Sequence, residues 1–328
     1  MTLNAQQVVL ITGAGSGIGK AIALALARDG HHVYASQRDI KKTNRERSQA
    51  LEQMARQESL ALEVLELDVL CETACRAAVD LILARHGRLD VVINNAGMLM
   101  TGLTEAFSVE QVARIIDTNA LSWLRVNRAA LPAMRRQGQG LLMYVGSTTS
   151  RLHEPFLGPY IASKVAGDAL AEVMAMEVRP SGIESVILMP GAFTSGTEHF
   201  ADAQVPAYQA IEHQYGELAT RMASLGEKLD AIDRANGGAL DVSAVGEAAA
   251  AVLAMPRGQR PLRVTVDGQH KGTETVDAVY YQKQAEFLRQ MGLDDMILPA
   301  PLAGMTTQPR LSLRTHARHV LTHKTRGA

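Results

Sequence analysis

Short apolar runs alternate with amphipathic segments over the first 270 residues of the chain. The runs are rich in Val, Ile and Leu, which is typical of strands buried on both faces. They lie at residues 8–12, 32–36, 62–68, 91–95, 141–146, 185–189 and 262–266. Segments with helical periodicity lie between them, at residues 17–29, 45–57, 72–86, 108–136, 160–179 and 243–255. This alternation predicts an α/β fold: a doubly wound parallel sheet of about seven strands with helices on both faces.

The rhythm changes at residues 193–241, which read as two or three polar, Ala-rich helices with no strand. An insertion after the sixth strand lies beyond the carboxyl ends of the strands, where such sheets bind ligands. We therefore interpret it as a substrate lid. No repeat or linker divides the chain, so we predict one catalytic domain over residues 1–270. A C-terminal helix and a basic tail follow over residues 271–328.

Charge and cysteine content narrow the class of protein. The formal net charge is −1, and the last 28 residues carry five Lys or Arg side chains with no Asp or Glu. The main body has no basic bias that would indicate nucleic acid. The two cysteines are too few ligands for a zinc site, so we expect no metal. With no signal peptide and no apolar run of about 20 residues, we expect a soluble, cytoplasmic protein without a membrane segment.

A glycine-rich stretch, TGAGSGIG at residues 12–19, connects the first predicted strand to the first helix. Its glycines at Gly13, Gly17 and Gly19 let the backbone turn tightly and come close to a pyrophosphate. The N-terminus of the following helix attracts such an anion. The position of the stretch in an alternating α/β chain therefore predicts a dinucleotide site.

A second stretch carries acid–base chemistry. Ser147 follows the fifth apolar run, and Tyr160 and Lys164 follow in the sequence YIASK. On a helix, Tyr160 and Lys164 lie one turn apart on the same face. A phenol has a reference pKa of about 10, and a nearby ammonium lowers that pKa. We therefore expect Lys164 to prepare Tyr160 for proton transfer, while Ser147 hydrogen-bonds an oxygen on which charge develops.

Four motifs in this order resemble those of the short-chain dehydrogenase/reductases. They are TGAGSGIG at residues 12–19, NNAG at residues 94–97, Ser147, and YIASK from Tyr160 to Lys164. The resemblance covers roughly residues 5–270. Within the family, the chain loosely resembles hydroxysteroid and retinol dehydrogenase-type members. It implies a Rossmann-type fold and hydride transfer between a nicotinamide cofactor and an alcohol or carbonyl compound.

The resemblance also implies roles for individual residues. Tyr160 would be the general acid in reduction and the base in oxidation, and Ser147 would polarise the substrate carbonyl. Lys164 would lower the pKa of Tyr160 and hold the ribose hydroxyls, and Asn119 would hold a water that links Lys164 to solvent. The implied cofactor contacts are Gly13, Ser16, Gly17, Ile18, Gly19, Arg38, Asp68, Val69, Asn95, Ala96, Gly97, Tyr160, Lys164, Pro190, Gly191 and Thr194.

The end of the second predicted strand bears on cofactor choice. A carboxylate at position 37 would bind the adenosine ribose diol, but the chain has Gln37 there, followed by Arg38. A guanidinium can bind a 2′-phosphate, whereas the negative charge of Asp39 disfavours a phosphate. We expect NADP(H), with NAD(H) as the alternative.

The predicted substrate pocket is mostly apolar, with Arg151 and His153 as its polar members. We therefore expect a fairly large apolar alcohol, ketone or aldehyde. The expected substrate contacts are Met98, Ser147, His153, Phe156, Tyr160 and Phe193.

Two other functions remain open on this scaffold. One is epimerisation or dehydration through a transient ketone, and the other is an NADP(H)-binding sensor or scaffold protein without turnover. Apolar helix faces over residues 108–136 and 160–179 are compatible with a homodimer or homotetramer, and equally with burial in the monomer.

Overall fold

A seven-stranded parallel sheet forms the centre of the molecule in a computed structural model, which describes residues 6–300. The strands are β1 (Val8–Ile11), β2 (His32–Gln37), β3 (Leu62–Glu66), β4 (Val91–Asn94), β5 (Gly140–Val145), β6 (Ile183–Pro190) and β7 (Arg263–Val266). Their order in the sheet is β3-β2-β1-β4-β5-β6-β7, and every neighbouring pair is parallel. The Rossmann-type α/β fold is confirmed.

Helices cover both faces of the sheet. They are α1 (Gly17–Arg28), α2 (Arg45–Gln57), α3 (Glu72–His86), α4 (Val109–Ile116), α5 (Ser122–Gln137), α6 (Gly158–Val178), α7 (Gln209–Gln214), α8 (Glu217–Ala223), α9 (Leu225–Ala235), α10 (Ser243–Ala254) and α11 (Thr273–Gln290). One apolar layer contains Ile22 of α1, Leu51 of α2 and Val245 of α10. The other contains Ile82 of α3 and Val126 of α5. Burial on both faces explains why the strands read as continuous apolar runs.

The helical segment that the pattern predicts over residues 108–136 is confirmed over residues 109–137, but its α-helical hydrogen bonding is interrupted once. Helix α4 ends at Ile116, a π-helical turn spans Asp117–Leu121, and α5 begins at Ser122. A π turn holds one residue more than an α turn and is common at functional sites. Periodicity in the sequence is too coarse to show one inserted residue. Elsewhere, predicted and observed ends differ by up to two residues, as is usual for element boundaries.

The segment predicted as a lid contains the three helices α7, α8 and α9. Its first part, before α7, runs along the carboxyl ends of the strands, and Gln204 pairs with Met100 in an isolated bridge. Helix α9 lies near the end of β7, where Asp233 bonds to Gln269. The segment therefore contacts both the cleft and the far edge of the sheet.

The predicted C-terminal helix corresponds to α11, which packs on α6 through Gln284 and Met176. The predicted basic tail lies outside the described residues. Within residues 6–300, no helix has both the length and the apolar character needed to cross a bilayer.

Candidate active site

The glycine-rich turn lies between β1 and α1, where all four of its glycines meet close neighbours. Gly13 has φ +64°, and a Cβ there would lie 2.8 Å from the Cα of Ala96. A Cβ at Gly19 would lie 2.5 Å from the carbonyl oxygen of Gly13. Ser16 precedes the first turn of α1 as its N-cap residue, but its side chain makes no capping bond. The turn thus leaves room for a ligand where backbone N–H groups and the helix N-terminus converge.

Hydrogen bonds between Thr12 and Asn95 hold this turn against the end of β4. The Thr12 hydroxyl accepts from the N–H groups of Asn95 and Ala96, each at 3.0 Å. The Asn95 amide donates to the carbonyls of Thr12 and Gly13, each at 2.9 Å. The NNAG segment therefore acts as a support for the glycine turn.

One cleft of about 580 Å³ runs along the carboxyl ends of the strands. It brings together most of the residues that the sequence pointed to, although they are distant in the chain. On the cofactor side these are Gly13, Ser16, Gly17, Ile18, Gly19, Arg38, Asp68, Val69, Asn95, Ala96, Gly97, Pro190 and Gly191. At the other end are Met98, Ser147, Tyr160, Lys164 and Phe193.

Ser147 follows β5 and is oriented by its neighbour Thr149. Its hydroxyl oxygen accepts from the Thr149 hydroxyl at 2.8 Å and from the Thr149 N–H at 3.2 Å. Because a hydroxyl has two acceptor sites and one donor, the Ser147 hydrogen is left to donate. Just before it, a Cβ at Gly146 would lie 2.9 Å from Ile187, so the close approach of β6 favours glycine there.

Lys164 is buried one helical turn beyond Tyr160 on α6. Its Nζ donates to the carbonyl of Val145 at 2.9 Å and lies 5.7 Å from the centroid of the Tyr160 ring. Burial lowers the pKa of Lys164 to about 8. The ammonium is thus held between the end of β5 and the phenol.

The expected lowering of the Tyr160 pKa by Lys164 is not found. The pKa of Tyr160 is raised to about 12. Burial is the main cause, a hydrogen bond with Ser147 opposes it, and the charge of Glu154 adds to it. The prediction considered the ammonium alone, whereas removal of the phenol from water disfavours the phenolate more strongly.

Asn119 lies in the π turn, where its side chain is fully engaged by protein groups. Its amide nitrogen donates to the Met98 carbonyl and to the Ser163 hydroxyl, each at 2.9 Å. Its amide oxygen accepts from the Met98 N–H at 2.8 Å. The side chain fixes the loop after β4 beside α6, and it does not line the cleft.

A buried amide without a protein partner lies at the end of β2. Gln37 is 5% exposed, and neither its amide oxygen nor its amide nitrogen has a hydrogen-bond partner within residues 6–300. The amide lies over Gly15, where a Cβ would meet the Gln37 oxygen at 2.1 Å. Buried polar groups usually have partners, so this amide and the glycine turn together fit a bound nucleotide.

Several sequence-predicted contacts lie outside the cleft lining. Thr194 and His153 are exposed, and Phe156 has φ +71° with its carbonyl turned to the N–H of Gly102. Arg151 points away from the cleft into a buried ion cluster, with contacts to Asp168 at 3.0 Å and Asp277 at 2.6 Å. The chain turns away from the cleft after Ser147. The short distance in sequence between these residues and Tyr160 could not show this.

Three cleft residues come from segments without a motif. Thr197 lies near the glycine turn, with its hydroxyl 2.9 Å from where a Gly17 Cβ would be. His199 packs its ring edge-on to Tyr160, and Lys271 pairs with Glu154 at 2.7 Å. Thr197 and His199 lie within the segment at residues 193–241 that the sequence predicts as a substrate lid, whereas no sequence signal marks Lys271. Among residues 6–300 there is no cluster of three or more His, Cys, Asp or Glu side chains suited to a metal ion.

Comparison with known proteins places the chain in a family. The sequence model of the short chain dehydrogenase family matches residues 7–205, so the chain belongs to this family of oxidoreductases. It is 35% identical over 221 residues to a 3-ketodihydrosphingosine reductase of Bacteroides thetaiotaomicron, covering 63% of this chain and 77% of the relative. It is 36% identical over 193 residues to human 17-beta-hydroxysteroid dehydrogenase type 1, covering 57% of each protein.

Solved structures agree with this assignment and bear on the cofactor. An alcohol dehydrogenase from Thermococcus sibiricus, complexed with 5-hydroxy-NADP, superposes with a TM-score of 0.62 at 26% identity, covering 80% of this chain and 96% of that one. A 3-ketoacyl-(acyl-carrier-protein) reductase from Brucella melitensis, complexed with NADH, superposes with a TM-score of 0.65 at 25% identity, covering 81% and 98%. A nicotinamide cofactor and a small-molecule substrate are therefore supported for this chain.

Proposed function

We propose that this protein is an NADP(H)-dependent oxidoreductase that interconverts an alcohol and a ketone or aldehyde on a fairly large apolar substrate. The observation that carries the proposal is the meeting of Ser147, Tyr160 and Lys164 at one end of a cleft whose other end is the glycine turn. The names of the two relatives, a keto-compound reductase and a hydroxysteroid dehydrogenase, favour the same reaction.

Each residue of this group has a role that follows from its surroundings. The bound nicotinamide supplies hydride transfer. The Tyr160 hydroxyl, kept protonated by burial, gives its proton to the substrate oxygen in reduction. The Ser147 hydroxyl donates a hydrogen bond to the same oxygen. Lys164 contributes positive charge near the phenol, which does not outweigh burial while the phenol is protonated but would stabilise the negative charge that develops as the proton leaves.

The proposed preference for NADP(H) rests on the end of β2. Gln37, Arg38, Asn44 and Arg47 line the cleft there, and Asp39 does not. No carboxylate occupies the position that would repel a 2′-phosphate, and two guanidinium groups are within the lining. NAD(H) is the alternative that a cofactor comparison would reveal.

The apolar substrate is proposed from the walls of the catalytic end. Met98, Leu99, Phe193 and Phe200 line it, and Leu99 and Phe193 are buried. Such walls favour a large carbon framework, because burial of apolar surface supplies the binding energy.

The first test measures turnover of a panel of aromatic, terpenoid and steroidal ketones and aldehydes. Turnover is monitored as the loss of NADPH or NADH absorbance. Tyr160→Phe removes the proton donor and keeps the ring, so kcat should fall by about 10²–10⁴-fold. NADPH binding should remain.

Tyr208→Phe is the matched control, because Tyr208 is 52% exposed and lies outside the cleft lining. It should keep the wild-type rate. Tight NADPH binding by wild type without turnover of any substrate would instead favour a sensor or scaffold protein.

Assembly and location complete the proposal. Leu121, Val165, Leu170 and Val173 are exposed apolar side chains around the start of α5 and along α6, which suits a homodimer or homotetramer. Light scattering that gives a monomer mass at micromolar concentration would contradict it.

The free thiols of Cys71 and Cys75 suit a reducing, cytoplasmic compartment.

A further inference from the structure

His199 is a cleft residue that the motifs do not account for. It lies between β6 and α7, and its ring centroid is 6.0 Å from that of Tyr160 with an interplanar angle of 65°. Phe200 packs on its other side, with centroids 6.3 Å apart. The imidazole therefore lies beside the group that would exchange a proton with the substrate.

The ring of His199 has no hydrogen-bond partner among residues 6–300. Its backbone N–H donates to the Thr197 hydroxyl at 3.1 Å, which fixes the residue but leaves both ring nitrogens free. Burial and the charge of Lys164 together lower the pKa of His199 to about 4, against the opposing charge of Asp202. The ring is neutral at pH 7 and offers one donor and one acceptor.

The cleft around His199 combines apolar side chains with the charged groups of Lys164 and Asp202. The apolar side chains are Met98, Leu99, Phe193 and Phe200. His199 is half-buried and lines the cleft, so a substrate that displaces water from its ring nitrogens loses free energy unless it offers a hydrogen bond in return. We propose that His199 is a substrate-recognition residue that hydrogen-bonds a second oxygen function of the substrate, a hydroxyl or carbonyl a few bonds from the reacting carbon. The inference rests on the proposed function and names its substrate class: apolar ketones or alcohols with a neighbouring oxygen.

A matched pair of substrates tests this inference. The pair is a long-chain 3-ketone and the same ketone with a hydroxyl on carbon 1, each reduced with NADPH. Wild type should prefer the hydroxyketone. His199→Phe keeps an aromatic ring without polar atoms, so kcat/KM for the hydroxyketone should fall by about 10- to 100-fold, because an unpaired substrate hydroxyl costs one hydrogen bond. The ratio of kcat/KM for the hydroxyketone to kcat/KM for the plain ketone should therefore fall by about the same factor, since the plain ketone has no hydroxyl that loses a partner.

Two further variants sharpen the comparison. His199→Gln retains a donor and an acceptor and should keep part of the preference. His213→Phe alters an exposed histidine of α7 and should behave as wild type. An equal fall for both ketones in His199→Phe, or a wild type that does not discriminate between them, would overturn the inference.

Failure of the reductase proposal is separable from failure of this inference. If wild type reduces neither ketone, calorimetry with NADP⁺ present compares binding of the corresponding diol and mono-alcohol. Tighter binding of the diol by wild type, lost in His199→Phe, would support His199 as the recognition residue without turnover. Equal affinities, or no binding of either alcohol, would overturn it.

Discussion

The two ends of the cleft are built in different ways. At the cofactor end, the glycine turn is held by neighbouring strand ends, through the contacts of Asn95 with Thr12 and Gly13. The other end, here called the lid end, contains Ser147, Tyr160 and the start of the segment predicted as a lid. Its walls come from that long segment, which is fixed by distant side chains such as Gln269. The first end depends on the absence of side chains at four glycines, and the second on the presence of particular side chains.

The largest effect is expected from Gly13→Ala at the cofactor end. The substitution combines a left-handed backbone, which costs about 1–2 kcal/mol, with a Cβ 2.8 Å from the Ala96 backbone. We expect the free energy of unfolding to fall by about 3–4 kcal/mol and NADPH affinity to fall at least tenfold. Urea denaturation and fluorescence titration measure the two quantities.

Gly138→Ala is the matched control for that variant. Gly138 has the same φ of +64°, but a Cβ there meets nothing within 4 Å. It should lose only the backbone contribution of about 1–2 kcal/mol and keep cofactor affinity. Equal losses for the two variants would show that backbone strain, and not the close approach of Ala96, limits position 13.

A second prediction concerns the clamp on the lid end. The Gln269 side chain accepts from the Ala192 N–H and donates to the Ala192 carbonyl, each at 2.9 Å, and donates to Asp233 at 2.5 Å. Gln269→Leu leaves these buried groups unpaired, so stability should fall by about 2–3 kcal/mol. KM for NADPH should rise, since Ala192 follows Pro190 and Gly191 in the cleft lining.

Gln282→Leu serves as the control for the clamp. Gln282 is exposed on α11 and bonds only locally to Glu286, so stability and KM should stay near wild type. If Gln269→Leu were equally mild, the lid end would not depend on this side chain.

Acidification provides a third test, specific to the lid end. The folded chain keeps His199 neutral down to a pKa of about 4, whereas the ordinary pKa of a histidine is about 6.5. Because the unfolded chain binds a proton in this interval and the folded chain does not, stability falls as pH drops from 6.5 towards 4. Between pH 7 and pH 5, wild type should lose about 2 kcal/mol more than His199→Phe.

Urea denaturation at the two pH values measures this difference. Lys164 and Asp202 are the charged groups that act on His199, and Tyr160 and Phe200 contact its ring. His213→Phe, at an exposed position, should retain the pH dependence of wild type. Parallel losses in wild type and His199→Phe would show that His199 titrates normally in the folded chain.

The smallest effect is expected from Arg38→Ala, which probes cofactor choice. Loss of one charge-assisted contact should lower kcat/KM for NADPH by about tenfold and leave the value for NADH unchanged. Arg136→Ala, on the exposed side of α5, is the control. Equal changes with both cofactors would remove the support for a 2′-phosphate contact.

The two ends also differ in how far the sequence could predict them. Gly13, Asn95 and Ser147 follow strands within two residues, and parallel strands bring their carboxyl ends to one edge of the sheet. Tyr160 lies in the first turn of α6 and comes to the same edge through that helix. Local spacing was therefore enough to bring these residues to one cleft. The same spacing wrongly included Arg151, because the direction of the chain after Ser147 depends on its contacts with Asp168 and Asp277.

The sequence by itself determined the parallel sheet, the family and the group of Ser147, Tyr160 and Lys164, because strand periodicity and short motifs act over neighbouring residues. Only the tertiary structure decided that His199 lies against Tyr160, that Gln269 hydrogen-bonds Ala192, and that the pKa of Tyr160 is raised. These features arise from contacts between segments far apart in the chain and from exclusion of water. Burial is a property of the whole packed molecule, so no local pattern of residues contains it.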